Sequence, residues 1–357
     1  MFAITGGGTG GHLAIAKALA QELQKRQIPC IYIGSHAGQD KMWFAQSDLF
    51  SAVYFLDSTG VVNKKGLAKL AALHKIYNAT KMCKKLFARH NTQAVISVGG
   101  FSAAGASLAT LGSKVKLFIH EQNAISGSLN KLLSPFATQI FGSFALANKR
   151  FYRCDYPVRQ EFFAHARTRT EIKTILFLGG SQGAKAINNI ALDLAPTLLA
   201  RGYHIIHQCG ERDKERISQA YAQQSILQDI ELFAFSPKLI DFVEKSDVCI
   251  SRAGAGSVWE SCANGLPCFF IPYPFAAKDH QYHNALEFAT ANLAQVCRES
   301  ILHPQQILTF LDSLTPRIAQ VSQALQDKIS PNGAHTIISQ ILALLQNATT
   351  TNLGAIK

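Results

Sequence analysis

Four glycine-rich turns hold the residues of this chain whose types and spacing could do chemistry. In each turn an apolar run that predicts a strand ends in small residues, and a helical pattern follows at once. Backbone amides at the start of such a helix bind anions, because their N–H groups and the helix dipole both favour negative charge. Several such turns in one chain predict a site for a diphosphate. The turns are "TGGGTGGH" (5–12), "VGGFSAAG" (98–105), "GGSQGA" (179–184) and "SRAGAGSVWE" (251–260).

The first turn matches the dinucleotide fingerprint G-x-G-x-x-G at Gly6, Gly8 and Gly11. A dinucleotide site also needs an acidic residue at the end of the second strand, to bind the ribose hydroxyls. That strand, "CIYIGSH", ends without one, and Asp40 comes too late in the chain. The loop G-x-x-x-x-G-K-[ST] is absent too, because His12 stands where its lysine would be. These patterns argue against a dehydrogenase and favour a backbone cradle that meets an anion or a substrate directly.

The sequence does not predict a metal site for a nucleotide. A carboxylate pair usually holds a metal-chelated nucleotide, and this chain contains no Asp-x-Asp. We therefore expect helix dipoles and backbone amides to neutralise the diphosphate, with no obligatory metal and no cofactor.

The composition predicts a globular protein with sizeable cores. Of the 357 residues, 48% are hydrophobic and 16% are charged, which argues against disorder. No run approaches the roughly 18 apolar residues that span a bilayer, and the glycine-rich start does not resemble a signal peptide. The eight cysteines form no C-x-x-C pair, so we interpret them as reduced, mostly buried thiols of a cytoplasmic protein.

The order of the predicted elements defines the fold class. Apolar runs alternate with segments of 3.6-residue period, such as 13–27, 67–89 and 184–199, which predicts parallel sheets covered by helices. The pattern restarts at "TILFLGGSQGAKAINNIA" (174–191). We therefore predict an α/β protein of two doubly wound, Rossmann-like domains that join near 154–173, with the ligand cleft between them. The predicted strands are 2–5, 30–33, 94–98, 117–120, 140–141, 174–178, 204–208, 230–233, 248–251 and 267–271.

Positive charge is concentrated in one segment. The net charge is +12, yet ten of the 35 basic residues lie between Ser58 and His120, where there is no acidic residue. The other 25 nearly balance the 23 acidic residues of the chain. The segment therefore predicts an anionic partner: nucleic acid, an anionic membrane surface or a phosphorylated substrate. We expect no nucleic acid, because the segment lacks interleaved aromatic residues and no nucleic-acid-binding motif occurs.

Residues 67–87 in this segment form two apolar stripes on a helical wheel. One stripe can pack on a sheet and leave the other exposed beside lysines, a combination suited to shallow docking on anionic lipid. The alternative is an ordinary solvated helix with a wide core face. The stripe that we expect to face the membrane contains Leu70, Leu73, Tyr77, Lys81, Lys84 and Lys85; the opposite one contains Ala72, Ile76, Ala79, Cys83, Leu86 and Phe87.

Taken together with other short stretches, the turns resemble the MurG family of glycosyltransferases. Any one stretch alone is weak evidence, but they occur in order over about four fifths of the chain. The family has the two-domain GT-B architecture, with an acceptor domain first, a UDP-sugar domain second and a last helix that returns to the first domain. The stretches are "GGGTGGH" (6–12), "STGVVNKKG" (58–66), "VGGFSAAG" (98–105), "HEQNAISG" (120–127), "PVR" (157–159), "GGSQGAKAIN" (179–188), "RAGAGSVWE" (252–260), "GLP" (265–267) and "KDHQYHNA" (278–285).

The resemblance implies an inverting transfer of N-acetylglucosamine (GlcNAc) from UDP-GlcNAc to the C4 hydroxyl of N-acetylmuramic acid (MurNAc). The acceptor would be undecaprenyl-diphosphate-MurNAc-pentapeptide (lipid I), and the product lipid II of peptidoglycan. It implies an acceptor and membrane-associated domain at 1–157, with a helix near 334–357 packed on it, and a donor domain at 158–333. It further implies a monomer on the cytoplasmic face of the bacterial inner membrane, associated with cell-wall synthesis proteins. The main alternative is a GT-B enzyme with another lipid acceptor.

The resemblance also implies which residues bind the donor. Glu260 would accept hydrogen bonds from the ribose hydroxyls of UDP, and Ser181 with its neighbouring amides would hold the diphosphate. Gln281 would bind sugar hydroxyls, with Asn284 close by. The other implied contacts are Thr9, Gly10, Gly11, Asn123, Arg159, Gly254, Ala255, Gly256 and Ser257.

Such a transfer needs a general base that takes the proton of the acceptor hydroxyl. His12 is our first choice, because it ends the first glycine turn and its ordinary pKa of about 6.5 suits the task. The alternative is Glu121, as the base or as a carboxylate that orients His12. We expect His120, at the end of a buried strand, to be structural. The chain departs from the family pattern at Ile15, where proline is usual, and at 155–156, where Gly-Asn is usual.

Overall fold

The computed structural model describes residues 1–61, 64–180 and 183–354, with side chains as far as residue 347. It divides into two compact units. The first contains Met1–Pro157 together with the residues from Asn332 onward, and the second contains Val158–Pro331.

The first unit is a parallel sheet covered by helices. Its strands are β1 (Phe2–Thr5), β2 (Cys30–Ser35), β3 (Ala52–Leu56), β4 (Ala94–Ser97), β5 (Lys116–Glu121), β6 (Gln139–Gly142) and β7 (Phe151–Arg153). Its first helices are α1 (Gly10–Lys25), α2 (Asp40–Phe44), α3 (Gly66–Arg89), α4 (Ala104–Ala109) and α5 (Ser128–Leu133). Across the described residues the strand order is β3-β2-β1-β4-β5-β6-β7. The order reverses between β1 and β4, so the turns after these strands lie where open α/β sheets bind ligands.

Helices of the first unit lie on opposite faces of its sheet. The chain runs from β1 through α1 and α2 to β3 in one direction, and from β3 through α3 and α4 to β5 in the other. Because such crossovers are right-handed, α1 and α2 cover one face and α3 and α4 cover the other. On the second face Cys83, Leu86 and Phe87 join a core that includes Val95 and Ile119.

The second unit repeats this plan. Its strands are β8 (Thr174–Leu178), β9 (His204–Gln208), β10 (Ile230–Phe233), β11 (Val248–Ser251), β12 (Cys268–Phe270) and β13 (Ala294–Val296). Its helices are α6 (Gln160–Ala164), α7 (Lys185–Ala200), α8 (Lys214–Gln223), α9 (Leu239–Lys245), α10 (Ala255–Asn264), α11 (His280–Thr290), α12 (Pro304–Leu314) and α13 (Ile318–Gln326). In the part of the unit that is described, the parallel strands follow the order β10-β9-β8-β11-β12-β13. Here the order reverses between β8 and β11.

The chain ends in α14 (Gly333–Gly354), which packs against α1 in the first unit. Arg26 follows α1 and donates to His335 O over 3.1 Å and to Ser339 Oγ over 2.8 Å. These bonds tie the last helix to the end of the first one.

The predicted α/β class is confirmed, and the prediction missed three of the described strands. Phe151–Arg153 and Ala52–Leu56 form the two edges of the first sheet, and Ala294–Val296 forms one edge of the second. Their side chains are mostly half-buried or exposed. Phe151–Arg153 and Ala294–Val296 are short and include a polar residue, so they lack the continuous apolar run that identifies a central parallel strand. Ala52–Leu56 does form such a run, AVYFL, and the prediction overlooked it.

Candidate active site

The two glycine turns of the first unit lock into each other at the carboxyl ends of β1 and β4. Gly7 N donates to Gly99 O over 3.1 Å, and a Cβ on Gly100 would lie only 2.1 Å from Gly7 O. Gly6, with φ 119°, and Gly100, with φ 79°, also adopt left-handed backbone conformations that favour glycine. The contact between the turns therefore requires glycine on both sides.

A buried carboxylate holds the first turn. Asp40 begins α2 and is fully buried. Its Oδ2 accepts from Gly8 N over 2.6 Å, and its Oδ1 accepts from Ser35 N over 3.1 Å. Tyr32 Oη lies 3.0 Å from the same Oδ1 and 2.9 Å from Gly6 O, so it can donate to either. Burial, and next the charge of Asp40, raise the pKa of Tyr32 far above its ordinary value. The sequence reasoning rejected Asp40 as a ribose ligand and missed this role.

His12 lies at the start of α1 with both ring nitrogens in contact with polar side chains. Its Nδ1 is 2.9 Å from Thr9 Oγ1, and its Nε2 is 2.8 Å from Gln122 Nε2. A side-chain NH2 group can only donate, so His12 Nε2 is the acceptor and Nδ1 carries the proton. A Cβ on Gly99 would lie 3.3 Å from the ring, so the glycine leaves room for it. The basic lone pair of His12 therefore points toward Gln122.

Glu121 ends β5 and fixes the loop that carries Gln122 and Asn123. Its buried carboxylate accepts from Asn123 N over 3.2 Å, from Gly127 N over 2.9 Å and from Asn130 Nδ2 over 2.9 Å. Burial raises the pKa of Glu121, and these hydrogen bonds oppose the rise. Because both oxygens bind their own loop, this geometry favours a positioning role for Glu121.

His120 is fully buried, and neither ring nitrogen has a hydrogen-bond partner among the described residues. Its ring meets Tyr156 edge to face, with 5.9 Å between the ring centroids. Burial, and next the nearby His12, lower the pKa of His120 to about 3. His120 is therefore neutral and packs within the core.

In the second unit, the turn after β11 leads directly into α10. Gly254 is the N-cap, and Ala255, Gly256 and Ser257 form the first turn of the helix. The first N–H groups of a helix have no partner within it, so these amides can bind an anion. The turn after β8 lies at the same reversal of strand order, but Ser181 falls outside the described residues. Where the structure is described, no cluster of three or more His, Cys, Asp or Glu could hold a metal ion.

Arg159 and Glu260, two of the predicted donor-binding residues, bind each other. Arg159 Nε lies 2.9 Å from Glu260 Oε1, and Arg159 Nη1 lies 2.8 Å from Glu161 Oε1. The guanidinium also covers the ring of Phe162, 4.6 Å from its centroid. Burial raises the pKa of Glu260; Arg159 lowers it and Glu161 raises it again. Arg159 thus orients the carboxylate and favours its ionised form.

Gln281 and Asn284 on α11 hold the backbone of two loops. Asn284 is fully buried, and its Nδ2 donates to Ala253 O over 3.1 Å, in the turn that precedes α10. Gln281 Oε1 accepts from Tyr273 N over 3.0 Å. In this arrangement Asn284 braces the anion-binding turn, and Gln281 orders the loop before α11.

One side of α3 is buried and the other is exposed. Ala72, Ala79 and the residues further along that stripe pack in the core, whereas Leu70 is 62% and Tyr77 is 56% exposed. Lys81 Nζ lies over the Tyr77 ring, 4.7 Å from its centroid. Among the described helices, none is long and apolar enough to cross a membrane. We define the α3 face as Leu70, Leu73, Tyr77, Lys81, Lys84 and Lys85, all of them exposed.

Both units match known protein families. The glycosyltransferase family 28 N-terminal domain matches residues 2–142, and the glycosyltransferase family 28 C-terminal domain matches residues 174–341. The chain therefore belongs to the family 28 glycosyltransferases, which confirms the enzyme class that the resemblance implied.

Full-length relatives define the family further. A protein of Helicobacter hepaticus is 54% identical over 97% of this chain and 100% of its own length. A protein of Helicobacter acinonychis is 51% identical over 96% of this chain and 99% of its own length. Both are named UDP-N-acetylglucosamine–N-acetylmuramyl-(pentapeptide) pyrophosphoryl-undecaprenol N-acetylglucosamine transferase. The crystal structure of Acinetobacter baumannii MurG, 25% identical, matches with a TM-score of 0.78 over 96% of this chain and 99% of that chain. This chain belongs to the MurG family, and the two-domain GT-B class is confirmed.

Proposed function

We propose that this chain transfers GlcNAc from UDP-GlcNAc to the C4 hydroxyl of MurNAc in lipid I, and so forms lipid II. Family membership supports the donor and the acceptor. The observation that carries the mechanism is the geometry of His12, whose two ring nitrogens have different partners at the start of α1. That geometry fixes one nitrogen as a proton donor to the protein and leaves the other as a base.

His12 is the proposed general base. Donation from Nδ1 to Thr9 Oγ1 fixes the tautomer, so the Nε2 lone pair is the basic site. The Gln122 amide occupies that lone pair until the acceptor hydroxyl replaces it. As the hydroxyl oxygen attacks the anomeric carbon, its proton moves to Nε2. The bond from that carbon to the phosphate oxygen breaks, and its electron pair leaves on UDP with inversion. A positioned base contributes about 10²–10⁴-fold to the rate.

The second unit is proposed to bind UDP-GlcNAc without an obligatory metal. Glu260, oriented by Arg159, accepts hydrogen bonds from the ribose hydroxyls. The amides of 254–257 meet the diphosphate, whose charge grows as UDP departs. Gln281 binds sugar hydroxyls, and Asn284 positions the turn from behind. The other proposed contacts to the donor are Thr9, Gly10, Gly11, Asn123 and Ser181.

The α3 face is proposed to dock on the anionic cytoplasmic surface of the inner membrane. Its apolar side chains are exposed beside its lysines, and each basic residue near such a surface is worth about 1 kcal/mol. Charge reversal of Lys81, Lys84 and Lys85 should release the protein from vesicles of anionic lipid. The control reverses three exposed lysines of the second unit, Lys214, Lys238 and Lys245. Equal binding of both variants would contradict this role of the α3 face.

The test of the proposed function uses labelled UDP-GlcNAc and a short-chain lipid I analogue in detergent, with and without EDTA. We expect label in the lipid product under both conditions. His12→Ala should lose turnover by at least about 100-fold and keep its affinity for UDP. Near-normal turnover of His12→Ala would assign the base to Glu121 instead. Binding of UDP-GlcNAc without transfer would mean that the enzyme uses another lipid acceptor. Transfer that occurs without EDTA and is lost when EDTA is added would mean that a metal is required.

A further inference from the structure

A groove of about 800 Å³ lies between α1 and the segment of α2 and 45–49 in the first unit. Two lysines, Lys17 and Lys41, line it, together with Met42 and Trp43; Asp48 is its acidic lining residue. Both lysines are exposed, and Met42 is 74% exposed. The groove therefore combines net positive charge with accessible apolar surface.

The groove adjoins the turn that carries His12. A Cβ on Gly10 would lie 3.7 Å from Trp43 Cζ2. The carboxylate of Asp40, at the start of α2, accepts from Gly8 N over 2.6 Å. One wall of the groove is thus bonded to the reaction turn itself. Because α1 and α2 cover the sheet face opposite to α3, the groove is separate from the α3 face.

The chemistry of the acceptor indicates which of its parts could reach this groove. In MurNAc the peptide is attached through the lactyl group on O3, next to the C4 hydroxyl that reacts. The diphosphate and the lipid are attached at C1, across the ring. When the C4 hydroxyl lies at His12, the peptide therefore leaves the sugar beside the reaction turn. A peptide chain ends in a carboxylate, which lysines attract.

We propose that this groove binds the peptide arm of the acceptor, with Lys17 and Lys41 attracting its carboxylate end and Met42 and Trp43 contacting its apolar part. This inference rests on the proposed function, because it requires an acceptor that carries a peptide next to the reacting hydroxyl. It assigns the groove to the peptide and leaves the lipid to the α3 face.

The test compares two acceptors in the transfer assay: the full pentapeptide analogue, and an analogue in which the lactyl group ends in a simple amide. Lys17→Glu combined with Lys41→Glu should raise the KM for the pentapeptide acceptor by about fivefold or more. The KM for UDP-GlcNAc and the kcat should stay unchanged. The matched control, Lys25→Glu with Lys149→Glu, reverses two exposed lysines of the same unit outside the groove and should leave the acceptor KM unchanged.

The peptide-free acceptor is the deciding arm. We expect it to give the same KM with the wild-type protein and with the groove variant. An equal rise of KM for both acceptors would overturn the proposal, since the lysines would then act on the diphosphate or the lipid. Unchanged KM for the pentapeptide acceptor would overturn it as well. If the wild-type protein transfers GlcNAc to neither acceptor, the proposed function itself fails.

Discussion

Removal of Arg159 should weaken UDP binding and make it more sensitive to acid. Glu260 must be ionised to accept hydrogen bonds from both ribose hydroxyls, and burial raises its pKa. Arg159 lowers that pKa, so Arg159→Ala should raise it. Carboxylate-dependent affinity is present above the pKa and lost as the pH falls through it. The variant should therefore lose UDP affinity at a higher pH than the wild-type protein does.

The size of the effect follows from the exposure of the pair. The nitrogen and oxygen are 2.9 Å apart, with the Arg159 side chain 35% exposed and that of Glu260 19% exposed. Fully exposed pairs contribute about 0–1 kcal/mol, and truncation of one partner of a buried pair costs about 2–5 kcal/mol. Because solvent screens the partly exposed Arg159, we expect the cost of removing it to lie between these two ranges, closer to that of an exposed pair than to the upper limit for a buried one. We expect a loss of about 1.5 kcal/mol, or about tenfold in UDP affinity at neutral pH.

A second variant should shift the pH profile the other way. Glu161 also binds Arg159 and raises the pKa of Glu260, so Glu161→Ala should keep UDP bound to a lower pH. The measurement is UDP affinity by calorimetry between pH 5 and pH 8. Arg201→Ala is the control, because it breaks an exposed pair with Asp312 elsewhere in the second unit. Superimposable pH profiles for the Arg159 and Glu161 variants would refute the assignment of Glu260 as an ionised ribose ligand.

Three further predictions concern stability, each measured by urea unfolding. Gly100→Ala should destabilise the first unit by about 2 kcal/mol or more, because its Cβ would meet Gly7 O at 2.1 Å; an unchanged midpoint would contradict the interlocked turns. Arg169→Met should cost about 1–3 kcal/mol for each buried carbonyl that it leaves without a donor, because the fully buried guanidinium donates to Val243 O and Ser246 O at the end of α9; rescue by lysine would contradict this. His120→Phe should become more stable than the wild-type protein by about 2 kcal/mol of unfolding free energy as the pH falls from 7 to 5. The reason is that the unfolded histidine takes up a proton below about pH 6.5, whereas the buried one does so only near pH 3. A difference in unfolding free energy that does not change with pH would contradict a buried neutral ring.

The sequence predicted the central part of each sheet well, because central parallel strands are buried on both faces. Thr174–Leu178 and Val248–Ser251 are found at the predicted positions for this reason. The strand at Ala52–Leu56 was missed although its residues, AVYFL, form a continuous apolar run. Both stripes of α3 were visible in the sequence, and the one that packs in the core is the one opposite to the predicted exposed stripe.

Motif residues could be predicted, but the side chains that hold them could not. The glycine-turn pattern predicts His12 as a site residue, whereas nothing in the spacing connects it with Gln122, which is 110 positions away and reaches it from the end of another strand. Asp40 was considered only as a ribose ligand and was rejected on its distance from the strand. That same distance places Asp40 at the start of α2, from where its carboxylate accepts a hydrogen bond from Gly8 N. An acidic residue at the start of a helix beside a glycine turn was the available signal.

Each unit has a buried polar side chain beside its first glycine turn, but among the described residues only that of the first unit binds the turn itself. In the first, Asp40 binds Gly8 N from within the core. In the second, Asn188 Nδ2 donates to Cys209 O over 2.9 Å, and a Cβ on Gly183 would lie 2.6 Å from that same oxygen. A buried polar side chain with several partners is costly to move, because any displacement leaves a desolvated group without a hydrogen bond. Asp40 therefore holds the backbone of the first turn in one geometry before substrate arrives, which is the condition under which preorganised dipoles stabilise a developing charge.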